Sequence, residues 1–122
     1  AEISARVTFD KLAIQICKLV WIIENDISAD CQLTINKILN YCQLEPDKAI
    51  VSIAYYDLYF YYSLLKEDDV ALIYRKEAEK LQNWCPITKG KLNGYVDKEY
   101  RFVMKNNWII FYLEYWTYDL IY

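Results

Sequence analysis

Apolar residues recur along this chain in blocks whose spacing is helical. From Val7 to Asn25, Leu12, Ile16, Leu19, Val20 and Ile23 follow one another at steps of three and four, which predicts one buried helical face. Asn25-Asp26 ends that block. From Ser28 to Cys42, Leu33, Ile35, Ile38, Leu39 and Cys42 supply an inner face, and Asp30, Gln32, Thr34, Asn36, Lys37 and Asn40 an outer one. Ser28 is placed to accept a bond from the free amides of the first turn. The third block opens at Glu45-Pro46-Asp47 and runs through AIVSIAYYDLYFYYSLL. It is apolar nearly all round, which predicts the central, most buried helix over about residues 46–65. β-branched and aromatic residues also suit a buried strand, but the length and the opening proline decide for helix.

A fourth helix is expected from Asp68 to Trp84, with Val70, Leu72 and Ile73 apolar and RKEAEK strongly polar. Cys85-Pro86 closes it, and ITKGKLNG reads as a loop. A fifth segment spans about Tyr95 to Asn106, with Val96, Tyr100 and Val103 inward. The last, WIIFYLEYWTYDLIY, has Glu114 and Asp119 as its charges, and its alternating Trp108, Ile110 and Tyr112 allow a short extended piece before a final helix. With two glycines and two prolines the chain has little material for tight turns, which disfavours a sandwich or barrel. The expected architecture is all-α: one orthogonal helical bundle.

The 122 residues suit a single domain, and 56% apolar with 25% charged residues argue for a packed core. Histidine is absent, which removes Ser-His, Cys-His and His-metal chemistry. A net charge of −3 draws the protein to neither nucleic acid nor anionic lipid. The apolar runs Ala49–Tyr56 and Leu58–Leu65 are separated by Asp57, and neither reaches a bilayer span. AEISARVTFDK lacks the charged start and apolar run of an export signal. Cys17, Cys31, Cys42 and Cys85 form no CxxC pair or metal knuckle. They fit either buried free thiols in a reducing compartment or two disulfides in a small secreted protein.

Candidate chemistry is sparse. Asp68-Asp69 and Asp26/Asp30 lie at helix starts, where acids complement the dipole. Gly90 and Gly94 around a basic loop do not make a phosphate cradle. Tyr55, Tyr56, Tyr59, Tyr61 and Tyr62 crowd one helix, and Tyr112, Tyr115, Tyr118 and Tyr122 the last. Such rings suit either the core boundary or a partner-binding face, and without a basic stripe they do not suit base stacking. Arg75–Lys80 and Asp97–Arg101 are mixed-charge patches, readable as solvated helix faces.

The order of segments resembles the cyclin fold, and in particular the P/U-type (Pcl-like) cyclins and cyclin Y. FDKLAIQICKLVWIIEND resembles the N-terminal helix of Pcl-type members. TINKILNYCQLEPDKAIVSIAYYDLYFYYS is similar to the first two helices of a cyclin box, with Tyr55-Tyr56-Asp57-Leu58-Tyr59 in the place of its Tyr-Leu-Asp/Glu-Arg-Leu element. Leu58 stands where the family has arginine, and the third helix is shortened, with Ala78-Glu79-Lys80 in the place of its Ala-x-Lys. Glu99-Tyr100-Arg101-Phe102-Val103 with Trp108-Ile109-Ile110, and the closing EYWTYDLIY, resemble the later helices.

The resemblance implies one cyclin-like helical domain over residues 1–122 that binds a cyclin-dependent-type protein kinase and orients its regulatory helix. Lys80 and Glu99 are the positions onto which the kinase contact carries over, with Arg75 and Tyr100 beside them. The expected protein is no enzyme, needs no cofactor or metal, and works inside the cell, in cytoplasm or nucleus. Nucleic acid and membrane are not expected partners; an aromatic surface would also suit a homodimer. The alternative is a small secreted or effector helical protein, disulfide-stapled, that binds a host or other protein.

Overall fold

The computed structural model describes the backbone of residues 2–94 and the side chains of residues 7–94. Among the described residues all regular structure is helical: α1 (Glu2–Asn25), α2 (Gln32–Leu44), α3 (Lys48–Leu64), α4 (Asp68–Leu81), a single 3₁₀ turn (Gln82–Trp84) and α5 (Pro86–Leu92). The segments expected beyond Gly94, and with them Glu99 and Tyr100, lie outside the described residues.

The helices pair as two hairpins, α1 with α2 and α3 with α4, and α3 also touches α1, α2, the 3₁₀ turn and α5. The reason is in its sequence. Ile50, Ala54, Leu58 and Tyr61 recur at steps of four and three, and Val51 and Ser52 are buried as well, so α3 has more than one face to hide. Leu12, Ile16 and Leu19 of α1 and Ile38 of α2 close the core against it, all fully shielded from water. Val20 and Ile23, expected on the same face of α1, pack at the margin of this core.

Local signals set the element ends, not always those expected. Ser28 does not cap α2; its Oγ donates to Asp26 Oδ1 (2.7 Å), and the helix starts at Gln32, whose amide donates to Asp30 Oδ1 (3.1 Å). Leu33 points into solvent because, at about 100° per residue, it falls on the opposite side of α2 from Ile35, Ile38 and Cys42. Asp47 caps α3 by accepting from the Ala49 amide (2.9 Å), so Pro46 precedes the helix instead of opening it. At the other end of α3, Lys66 takes a left-handed φ of 61°, its amide donates to Ser63 O (3.0 Å), and the Glu67 amide donates to Tyr62 O (3.0 Å). That double bond is the C-terminal motif in which glycine is usual.

The stretch expected as a loop after Cys85-Pro86 is a helix. Pro86 supplies a pre-set φ in the first turn, and Thr88 and Leu92, four apart, give it a buried face. Gly94, with φ of 76°, ends it, its amide donating to Lys91 O (3.3 Å).

Candidate docking face and the junction behind it

The fourth helix distributes its side chains in reverse of its apolar content. Ala71 and Ala78, seven residues apart, are its buried residues, and they let α4 lie close against α3. Tyr74 and Leu81 pack at the edge of the core. The larger aliphatics Leu72 and Ile73 are 49% and 60% exposed. At 100° per residue, Asp69, Leu72, Ile73, Lys76 and Lys80 fall within about 100° of arc on the side away from Ala71 and Ala78. All five are exposed. Leu72 and Ile73, apolar in the sequence, thus stand on the outer side, and small residues hold the inner face, where they allow close helix approach.

Behind that face is a polar junction of α3, α4 and α5, organised by Arg75. Its Nε donates to Glu79 Oε1 (2.9 Å), Nη1 to the Tyr59 hydroxyl (3.2 Å) and Nη2 to Leu92 O (3.2 Å). The guanidinium carbon also stands 5.2 Å from the centre of the Tyr59 ring. Arg75 thus closes an open carbonyl at the end of α5 and ties that short helix to the hairpin. Lys91 of α5 lies 5.1 Å from the centre of the Tyr56 ring. Ser52 donates to Ala49 O (2.7 Å), which leaves Thr88 as donor in the buried Ser52–Thr88 bond (2.9 Å) that anchors α5 to α3.

Asp57 sits in the middle of α3, 5% exposed, and its Oδ2 has no hydrogen-bond partner. Burial pushes its carboxyl from 3.8 up to about 6, against a smaller opposing pull from Lys91. Its charge reaches α1, adding to the burial that holds the Cys17 thiol up at about 12. Cys42 is likewise pushed up to about 12 by burial. All four cysteines are buried free thiols, so the disulfide-stapled alternative finds no bridge among them.

The tyrosines described on α3 are engaged within the fold. Tyr74 of α4 stacks on Tyr62 (5.6 Å between ring centres) and on Tyr55 (6.3 Å), and Tyr61 is buried. No group of three or more Cys, Asp or Glu side chains that could hold a metal ion occurs among the described residues. No described helix is long and apolar enough to cross a membrane.

Of the four residues expected at a partner contact, two are described, and they differ in kind. Arg75 is committed to the internal junction. Lys80 stands on the outer face with its ammonium 3.0 Å from Glu77 Oε1, in a pair that is well exposed and holds it weakly. Leu72, Ile73 and Lys76, not singled out as site residues in the sequence, join Lys80 there. The signal that finds them is the pair Ala71 and Ala78: it marks the inner side of the helix and so the outer one. Comparison of the chain with known protein families, curated proteins and solved structures finds no match.

Proposed function

We propose that this chain is a non-catalytic helical binding module that docks on a protein kinase of the cyclin-dependent type and orients that kinase's regulatory helix. The observation that carries this is the reversed α4: alanines inward, Leu72 and Ile73 outward beside Lys76 and Lys80. Two exposed aliphatics gain nothing in water, whereas burying each in a partner groove is worth about 1.5–3 kcal/mol before the cost of association. The lysines beside them supply direction. An ammonium at the end of an apolar stripe selects a carboxylate or a helix C-terminus on the partner, and so fixes register more than affinity.

A kinase of this class is active when its regulatory helix brings a glutamate to the catalytic lysine. A packed two-helix ledge would hold that helix in place with no reaction chemistry of its own. The sequence resemblance to cyclins supplies the partner class and the role of Lys80. The internal bonds of Arg75 favour Lys80, Lys76, Leu72 and Ile73 over Arg75 for such a contact.

Titration calorimetry of purified cyclin-dependent kinases with the folded chain tests this. The expected result is saturable binding at micromolar Kd or tighter, with kinase activity raised, and about tenfold weaker binding for Lys80→Glu. If no kinase of the class binds a chain whose helical circular dichroism is intact, the assignment is wrong.

A further inference from the structure

The outer face of α4 is complementary to itself. Asp69 and Lys76 lie 3.5 positions on either side of the midpoint between Leu72 and Ile73, about 5 Å along the axis in each direction. We propose that two copies of this chain pair through α4, antiparallel, about a two-fold axis passing between Leu72 and Ile73. In that arrangement Leu72 meets Leu72 of the second copy, Ile73 meets Ile73, and each Asp69 faces a Lys76.

Three features select this occupant. The face is open, with Asp69, Leu72, Ile73 and Lys76 all exposed. Neither Asp69 nor Lys76 is engaged in an ion pair among the described residues, so both charges are available to a partner. The charge order also rejects the other geometry: a parallel pair would set Asp69 on Asp69 and Lys76 on Lys76, while the antiparallel pair makes both contacts attractive and opposes the two helix dipoles. The interface is isologous, so the pairing closes at two copies and does not propagate.

The inference stands independently of the kinase assignment, because it needs only the stripe itself. Where both hold, self-pairing covers the face that docks the partner, and the two states exclude one another.

Charge exchange tests it. Sedimentation equilibrium of the full chain up to about 1 mM should show a reversible monomer–dimer equilibrium. Asp69→Lys and Lys76→Asp should each weaken it at least about tenfold while leaving the helical circular dichroism unchanged, since both side chains are exposed. An equimolar mixture of the two variants should associate again, because each mixed contact then joins Lys to Asp. The doubly exchanged chain should also pair. A wild-type chain that stays monomeric throughout, single variants that pair as the wild type does, or a mixture that fails to associate would each overturn the proposal.

Discussion

Asp57 places a carboxyl in the middle of the most buried helix, and its Oδ2 has no hydrogen bond to offset its lost hydration. Its pKa is raised from 3.8 to about 6, so between those values the folded chain keeps a proton that the unfolded chain has released. The stabilisation from this group is complete below about pH 4 and is lost as pH rises through 6, a change of at most about 3 kcal/mol. Asp57→Asn should therefore raise stability at pH 8 by about 1–3 kcal/mol and by much less at pH 4, read from urea midpoints of both chains at the two values. The thiols make a second case at this scale. With pKa values near 12, Cys17 and Cys42 are ionised in about one molecule in 10⁵ at neutral pH. A colorimetric thiol reagent should leave both unreacted in the native chain and find four thiols once the chain is unfolded in urea.

At the scale of elements, most helices were legible in the sequence because the apolar steps of three and four are themselves the buried faces. Leu12, Ile16 and Leu19 are the plainest instance. What could not be read there depended on neighbours. The seven residues of α5 look like a loop because glycine and lysines dominate them, and they become helical through contacts made elsewhere: Thr88 to Ser52, and Leu92 O to Arg75. In the same way Arg75 and Lys80 are equivalent in a mixed-charge run, and only the side on which α3 lies separates the inner cation from the outer one. Arg75→Ala should accordingly speed hydrogen exchange across 86–92 and lower stability by about 1–3 kcal/mol, since the Tyr59 hydroxyl and Leu92 O lose their donor. Lys66→Gly should act in the opposite sense. It relieves a left-handed backbone at the end of α3 and should raise the thermal midpoint, corresponding to about 0.5–1 kcal/mol.

For the molecule as a whole, α3 gathers the other described elements around itself and leaves α4 on the outside, held by alanines. Leu58, Ala71 and Ala78 are buried and hold the hairpin, while Leu72 and Ile73 are exposed. Substitutions on the outer face should change the proposed association and spare the fold. The most direct measurement is urea unfolding of the double variant Leu72→Glu/Ile73→Glu beside the wild type. Stabilities should agree to within about 0.5 kcal/mol, as for exposed positions. A loss of about 3 kcal/mol or more would place both side chains in the core and contradict it.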